Sequence, residues 1–458
     1  SAGMGVGLVF WAVAEPMSHF VSPPFGEAEP RSPQAAGAAM RYALFHWGFH
    51  QWANFALVGL SIAYVRFRMQ RPGLISETFR PLLGDRVDGA RGHLINVLAV
   101  VSTVFGVATT LGLGVIQINS GLVSVSDVPF GASQQLMILA GISMIFLVCA
   151  LAPLESGVRY ISDLNMLLAG ALLVFVFFAG PTDFITAAMT NAIGDYFGNI
   201  MGMSLVMTPY TGDDWVERWT IFYWAWGLSW APFVGSFIAR ISRGRTIREF
   251  VMGVIGMPVL LSVLWFSTFG GSALYFELFE GAALGDAVVQ EMSSALFATL
   301  ALLPGAEIVS ILMLVLIILF VITSANSATF VLGMFTSKGV LTPSRWSRVT
   351  WGVIQVLVAG VLLLSGGLAA LQTISIVAAF PFMILMIFMA SSLLRSLRTE
   401  RRQRELHEAM TRERLLRLLD SSDHLGEPER PTEFDELREE LIEQVSREDP
   451  SRPEQKTR

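Results

Sequence analysis

Residues 219–233 of the chain read Trp219-Thr-Ile-Phe-Tyr-Trp-Ala-Trp226-Gly227-Leu-Ser-Trp230-Ala-Pro-Phe233. Four tryptophans and a tyrosine fall within the first twelve residues, and a mostly apolar run continues to the basic segment Arg240-Ile-Ser-Arg-Gly-Arg245. An apolar run of this length, closed by arginines, is typical of a membrane-spanning helix. Trp226 and Trp230 are four residues apart, so they share one face of that helix.

The composition of the chain supports a membrane protein. Hydrophobic residues make up 53% of the 458 residues, charged residues make up 15%, and the mean hydropathy is +0.57. A soluble domain carries more charge than this. The single cysteine, Cys149, lies in an apolar run, which excludes a disulfide framework. No phosphate-binding loop, cysteine pair or nucleophile elbow occurs in the sequence, so we expect neither an enzyme nor a cofactor-binding or nucleic-acid-binding protein.

The hydropathy pattern predicts an all-α membrane protein. Because a span needs about 20 apolar residues, we place a partial span at 1–20 and nine full spans at 40–66, 93–121, 132–154, 160–181, 219–241, 250–275, 303–335, 345–366 and 370–394. Arginine-rich and acidic loops alternate along the chain. By the positive-inside rule, this alternation predicts that the C-terminus lies in the cytoplasm.

Two regions outside these spans have distinct compositions. Residues 182–218 are too polar to span and suggest an amphipathic helix on the outer membrane surface. We divide the chain into a transmembrane core, 1–395, and a charged cytoplasmic tail, 396–458. The tail begins with an Arg/Glu-rich helix to about Leu419 and continues as a disordered segment around 421–432. The tail helix is either a solvated charged helix or a regulatory helix that faces lipid.

Ten spans divide into two halves of five, and an odd number in each half is what an inverted repeat requires. The first span of each half contains helix-breaking residues, Gly3-Met-Gly-Val-Gly7 in one and Gly227, Pro232 and Gly235 in the other. Interrupted helices at matching positions predict a binding site near the middle of the membrane. The alternative explanation of the glycines is close packing between helices.

Aromatic residues are concentrated where this site is predicted. Trp47, Trp52 and Phe55 lie within about two turns of the first complete span, and Trp226 and Trp230 lie within the second interrupted helix. Indole faces attract a desolvated cation by about 2 kcal/mol or more per contact, so the set predicts a box for a quaternary ammonium group. We assign Trp215 and Trp219 instead to an aromatic belt at the membrane interface.

His46 and His50 have the i, i+4 spacing of a metal site. However, no glutamate accompanies them in a zinc-protease pattern. We therefore interpret the two histidines as packing or hydrogen-bonding groups.

The sequence resembles the betaine/carnitine/choline transporter family over nearly all of residues 1–395. The resemblance rests on Gly3-Met-Gly-Val-Gly7, Glu15-Pro16, Phe45-His-Trp47, Thr220-Ile-Phe-Tyr-Trp-Ala-Trp226, Ser229-Trp-Ala-Pro-Phe233, Ala239-Arg-Ile-Ser-Arg-Gly-Arg-Thr-Ile-Arg-Glu249 and Ile322-Thr-Ser-Ala325. It implies a ten-helix, LeuT-like core of 5+5 inverted repeats. Family members have twelve helices, so this chain looks as if it lacks the first two and part of the third.

The resemblance also implies a substrate and the residues that bind it. It implies a zwitterionic osmolyte such as glycine betaine, with substrate-site candidates Met4, Gly5, Gly7, Trp47, Trp52, Phe55, Trp226, Gly227 and Trp230. Gly227 stands where the family usually has another tryptophan, which predicts a cage with one open wall. A carrier of a bulkier zwitterion such as ectoine, a proton-coupled or exchange carrier of carnitine or choline, and an osmosensor with little flux are the alternatives.

Sodium is the coupling ion that the resemblance implies. The expected site uses the backbone of Ser1, Met4 and Phe320 with the hydroxyls of Thr323 and Ser324. A second site would use Thr103 and Phe233, although Val107 replaces a threonine there. The resemblance further implies a homotrimer in contact with lipid in a bacterial plasma membrane.

Overall fold

The structure, a computed structural model, describes residues 2–151, 157–340 and 342–423, and throughout these residues it is helical with no β-strand. Serine at position 1 lies outside the described residues. The α-helices are α1 (Ala2–Val21), α2 (Pro33–Trp47), α3 (Phe49–Ala63), α4 (Arg80–Leu83), α5 (Ala90–Val125), α6 (Ala132–Leu151), α7 (Gly157–Ala179), α8 (Thr182–Ser204), α9 (Phe222–Ile241), α10 (Ile247–Val251), α11 (Met257–Glu280), α12 (Leu284–Gln290), α13 (Ala295–Leu300), α14 (Ala306–Thr336) and α15 (Arg345–Asp423). Short π-helical segments precede α9 and join α10 to α11.

Six of the described helices are long and apolar enough to cross a membrane: Ala90–Val125, Ala132–Leu151, Tyr160–Ala179, Ile247–Glu280, Ala306–Thr336 and Arg345–Arg414. The sequence predicted ten spans. The last two predicted spans both fall within α15. The spans predicted at 1–20, 40–66 and 219–241 correspond to α1, to α2 with α3, and to α9, which are not among the six. The inverted repeat stays a prediction.

The predicted span at 40–66 is broken in two at Gly48, a break that the hydropathy pattern does not predict. The backbone of Gly48 (φ −92°, ψ −139°) is not helical, and it separates α2 from α3. A Cβ at Gly48 would lie 2.4 Å from the carbonyl oxygen of Leu44 and 2.6 Å from the hydroxyl of Tyr196. That hydroxyl accepts the backbone N–H of Phe49 at 3.0 Å, which satisfies a donor freed by the break.

The interruptions predicted within the first helix of each half are not present in the described residues. α1 is helical from Ala2 through Gly7, and α9 is helical through Pro232 and Gly235. Close packing explains the glycines instead. A Cβ at Gly5 would lie 2.6 Å from the ring of Phe320, and one at Gly235 would lie 2.7 Å from the side chain of Val58. The alternative of glycine for close helix contact therefore holds.

A sharp kink divides α15 where the sequence predicts two spans. Gly366 and Gly367 have non-helical backbone angles, and Gly367 has φ +55°, a conformation that glycine adopts without steric cost. One compact unit of the chain ends at Leu393, and a second begins at Leu394. The second unit is helical to Asp423, as predicted for the first part of the tail, and the pairs Arg401–Glu405 and Glu413–Arg417 stabilise it. The predicted disordered tail lies almost wholly outside the described residues.

Candidate substrate and ion sites

Two tryptophans from different helices meet over a glycine of α1. The rings of Trp47 on α2 and Trp226 on α9 lie 6.1 Å apart at an angle of 84°, and both are buried. A Cβ on Gly7 would lie 2.4 Å from Cη2 of Trp226 and 2.8 Å from Cη2 of Trp47. The structure thus brings together three of the predicted site residues, with the two indoles touching the bare backbone of α1.

The indoles of α9 are fixed by hydrogen bonds to α5. Nε1 of Trp226 donates to the hydroxyl of Thr110 at 3.2 Å, and Nε1 of Trp230 donates to the carbonyl of Gly106 at 2.9 Å. Both tryptophans therefore lie on one face of α9, as their spacing predicted, and this face packs on α5. Each buried N–H has its partner, so the rings are held in one orientation.

Gly227 does not leave an open wall. A Cβ there would lie 2.0 Å from Nε2 and 2.3 Å from Oε1 of Gln51, so the Gln51 amide occupies the space that the family tryptophan would fill. Gln51 is 2% exposed, and its Oε1 has no hydrogen-bond partner among the described residues. A buried acceptor without a donor is costly, and it gives the site a polar group that the aromatic residues lack.

Trp52 and Phe55 form a separate aromatic pair on α3. Their rings are 5.5 Å apart in an edge arrangement, and Phe55 is fully buried whereas Trp52 is half-buried. Within the described part of the chain, no ring contact joins this pair to Trp226 or Trp230. These two predicted site residues follow Gln51 along α3 and are not part of the cluster around Gly7.

A buried carboxylate stands behind Trp47. Glu15 of α1 accepts from Nε1 of Trp47 at 2.8 Å, and its other oxygen lies 2.6 Å from Nδ1 of His46. Nε2 of His46 lies 2.9 Å from the hydroxyl of Thr220. The hydrogen-bonding interpretation of His46 is confirmed. Its partner is Glu15 and not His50, which lies beside Ser204.

Trp215 and Trp219 are not merely interface residues. Their rings lie 5.1 Å and 4.5 Å from the ring of His19, and Trp215 is 4% exposed within the protein. Both tryptophans therefore pack against His19 inside the protein. Their assignment to a membrane belt stays a prediction.

The predicted sodium site is polar and buried on α14. The hydroxyl of Thr323 donates to the carbonyl of Leu319 at 2.8 Å and accepts from Nδ2 of Asn165 at 3.2 Å. Thr323 and Ser324 are both buried. Oδ1 of Asn165 is buried without a partner among the described residues. Asn165 was not predicted, although an amide inside the apolar run of α7 was the available signal.

The remaining predicted ion ligands lie on four helices, α1, α5, α9 and α14. The ring of Phe320 packs on Gly5, so α1 passes directly beside the Thr323 region. Met4 lies in the helical part of α1, where helical hydrogen bonding uses the carbonyl groups that an unwound helix would expose. At the second site, Thr103 donates to the carbonyl of Ala99 at 2.8 Å, and Phe233 packs on Trp230 at 5.3 Å.

A comparison with known families decides the class of the protein. The model of the BCCT family, the betaine/carnitine/choline family of transporters, matches residues 1–402. The chain belongs to the BCCT family. Members of the BCCT family are transporters of compatible solutes and not enzymes, as the sequence predicted for this chain.

The names of individual relatives give two different substrates, ectoine and glycine betaine. The BCCT chain is 48% identical over 398 residues to an ectoine/hydroxyectoine transporter of Virgibacillus pantothenticus, covering 87% of this chain and 79% of that one. It is 49% identical over 417 residues to a glycine betaine transporter of Bacillus subtilis, covering 90% and 80%. A probable glycine betaine transporter of Desulfitobacterium hafniense is 44% identical over 401 residues, covering 87% and 80%.

Proposed function

We propose that this BCCT protein takes up a zwitterionic compatible solute, glycine betaine or ectoine, by sodium-coupled symport with alternating access. The observation that supports this best is the pair of indoles from Trp47 and Trp226 at 84° over Gly7. Two indole faces in a water-poor site replace part of the hydration that a cationic headgroup loses. Glycine betaine and ectoine both combine such a headgroup with a carboxylate.

Gln51 favours ectoine as the second candidate. Ectoine carries ring N–H donors on its cationic amidine, whereas the trimethylammonium group of glycine betaine has none. The unpaired Oε1 of Gln51 next to Gly227 can accept such a donor. A hydrogen bond to a charged group contributes about 1.5–3 kcal/mol, which is enough to separate two solutes of similar charge.

Sodium coupling is supported by the oxygen atoms around Thr323. Hard cations take oxygen ligands. Thr323 accepts an N–H of Asn165, and a half-turn of the Asn165 amide would exchange that N–H for the unpaired Oδ1. The region would then present two side-chain oxygens to an ion between α7 and α14. Helix α1 packs beside it through Gly5, so ion occupancy and the position of α1 are physically linked.

Removal of the Thr323 hydroxyl should weaken sodium coupling. In proteoliposomes, we expect the wild-type protein to accumulate labelled glycine betaine or ectoine only when a sodium gradient is imposed. The Thr323→Val variant should need about tenfold more sodium for half-maximal uptake, since a lost ligand to an ion costs about 1.5 kcal/mol or more. The matched control is Thr373→Val, which removes an exposed hydroxyl with the same bond to its own helix.

The same assay separates the alternatives. Uptake that follows a proton gradient, or that requires internal carnitine or choline, would contradict sodium symport. No uptake of any solute would leave the osmosensor as the remaining hypothesis. Equal sodium dependence of uptake in Thr323→Val and the wild type would show that Thr323 is not a sodium ligand.

The Gln51→Leu variant should change selectivity. We expect ectoine affinity to fall about tenfold or more because the amide acceptor is lost, while betaine affinity changes little. Competition of each solute against the other in a binding assay measures the ratio directly. Gln290→Leu, which replaces an exposed glutamine at the end of α12, is the control. An equal loss of affinity for both solutes would show that Gln51 supports the fold and does not distinguish between the substrates.

We extend the proposal to assembly and topology. Exposed apolar side chains on α6 and α7, among them Met144, Tyr160, Leu167 and Phe178, suit contact with lipid or with neighbouring subunits. We propose a homotrimer in a bacterial plasma membrane with the C-terminus in the cytoplasm. Mass measurement in nanodiscs tests the trimer, and protease access to the tail in sealed vesicles tests the orientation.

A further inference from the structure

Three ionisable side chains lie together in the interior, next to the substrate cluster. Glu15, His19 and His46 are each buried, and one atom of each can be chosen so that all three lie within 4.8 Å of one another. Glu15 is 2.6 Å from Nδ1 of His46 and 3.4 Å from Nε2 of His19. The transport function proposed above uses none of the three.

Other charged groups near this region are paired elsewhere. Arg41, one residue before Tyr42, bonds to Glu27, and Arg218 pairs with Asp214 in the exposed segment before α9. Helix α11 meets α1 through Gly270, which packs on Pro16. These contacts leave the carboxylate of Glu15 to be balanced within the cluster.

Aromatic rings and two phenols complete the surroundings. The ring centre of Tyr42 on α2 lies 6.4 Å from that of His19, and the ring centre of Tyr223 on α9 lies 4.9 Å from that of His46. Neither phenol is a cation, and His50 is turned toward Ser204 and Trp224. The two imidazoles are therefore the groups that can balance the charge of Glu15.

The number of protons that the cluster holds determines its charge. A buried carboxylate without a counter-charge costs several kcal/mol or more, so one proton shared between Glu15 and His46 makes the pair neutral overall. A second proton can enter on His19, whose two ring nitrogens have no hydrogen-bond partner among the described residues. The cluster then becomes positive. Imidazole is the side chain whose ordinary titration range lies between pH 5 and 8.

A cavity adjoins the cluster at Thr220. A cavity of about 100 Å³ is lined by Tyr42, Ser204, Trp215, Thr220 and Trp224, among others. The hydroxyl of Thr220 lies 2.9 Å from Nε2 of His46. This hydroxyl can therefore relay a proton between water in the cavity and the imidazole.

We propose that Glu15, His19 and His46 form a proton-binding site that controls substrate affinity through Trp47. The proposal rests on the proposed function, since it assigns Trp47 to the cation box. The carboxylate of Glu15 holds Nε1 of Trp47 at 2.8 Å, so the charge of the cluster acts on a wall of that box. The proton is a regulatory ligand here and does not replace sodium as the coupling ion.

The sign of the effect follows from the charges. The second proton, on His19, makes the cluster positive beside a cationic headgroup. Repulsion between the two positive charges weakens substrate binding. Coupling between two sites is reciprocal, so bound substrate must release a proton from the cluster. We expect affinity to fall about fivefold or more between pH 7.5 and pH 5.5, the lower end of common couplings.

Calorimetry can count the released protons. The purified chain is titrated with glycine betaine and with ectoine at pH 6.5, in buffers that differ in ionisation enthalpy. We expect the wild type to release a fraction of a proton per solute bound, and the release to vanish in His19→Gln, which removes the imidazole that takes the second proton. The control His50→Gln removes a nearby histidine outside the cluster and should keep the release. No proton release at any pH from 5.5 to 7.5, or equal release in His19→Gln, would overturn the proposal.

A second measurement needs no substrate. The chain contains six histidines, so ¹⁵N-histidine labelling gives few resonances, and the His19→Gln and His46→Gln variants assign two of them. We expect the imidazole of His19 to change its protonation between pH 5.5 and 7.5. Constant protonation of His19 would overturn the proposal, as would stoichiometric zinc that is lost in His46→Gln. If the wild type bound neither solute, the proposed function would fail, while the labelled histidines would still decide the proton site.

Discussion

Replacing Gly7 with alanine should lower uptake at limiting substrate by about 100-fold or more. The added Cβ would lie 2.4 Å from the indole of Trp226 and 2.8 Å from that of Trp47, so both rings must move. Two cation–π contacts of about 2 kcal/mol each are then disturbed. Alanine is a better helix former than glycine by about 1 kcal/mol, so α1 itself gains and does not lose helical stability. Initial rates in proteoliposomes across a range of solute concentrations give the loss.

Gly170→Ala is the matched control for this change. Gly170 lies within the membrane helix α7, and a Cβ there would meet no atom within 4 Å. It should leave uptake unchanged, and both variants should elute as the wild type does on gel filtration. Wild-type affinity in Gly7→Ala would show that the indole pair does not form the substrate site.

The Trp226→Ala variant should weaken binding of a cationic solute by about 30-fold, the equivalent of one cation–π contact of about 2 kcal/mol. Trp226→Phe should recover part of this loss, because it keeps an aromatic face but loses the hydrogen bond to Thr110. Equilibrium binding of labelled solute to the purified protein measures both. The ordering wild type, phenylalanine, alanine distinguishes a cation contact from simple cavity formation.

Trp346→Ala serves as the tryptophan control. This residue is 66% exposed at the start of α15, so its removal should change neither affinity nor stability. If Trp226→Ala bound as tightly as Trp346→Ala, the aromatic box would have to lie elsewhere, with Trp52 and Phe55 the next pair to test.

Much of the architecture could be predicted because membrane helices are recognisable by length and hydropathy. The spacing of Trp226 and Trp230 also predicted correctly that one face of α9 carries both indoles, although not that this face packs on α5. The family was evident from the same stretch. These are properties of a single helix, and helical periodicity alone determines them.

The errors arose where the meaning of a residue depends on a distant partner. The sequence around a glycine does not show whether the glycine breaks its helix or allows close contact with a neighbouring helix. Gly5 allows close contact with the ring of Phe320, and Gly7 allows close contact with the two indoles. Gly48, in contrast, does break a helix. Gly227 was expected to leave a gap, but Gln51 comes from α3 to fill it. Asn165 and the Glu15–His46 pair were missed for the same reason, since their partners are more than 30 residues away.

The break at Gly48 places two residues of the proposed substrate site, Trp47 and Gln51, on different helices. Trp47 is the last residue of a helix that packs on α1, α8 and α11, whereas Gln51 belongs to a helix that packs on α9. The Trp47 indole and the Gln51 amide thus lie on opposite sides of Gly48, only four residues apart in sequence. Under the proposed function, rotation of the backbone at Gly48 would change the distance between these two groups while each helix kept its own packing. Solute selectivity and opening of the proposed site would then depend on the same residue.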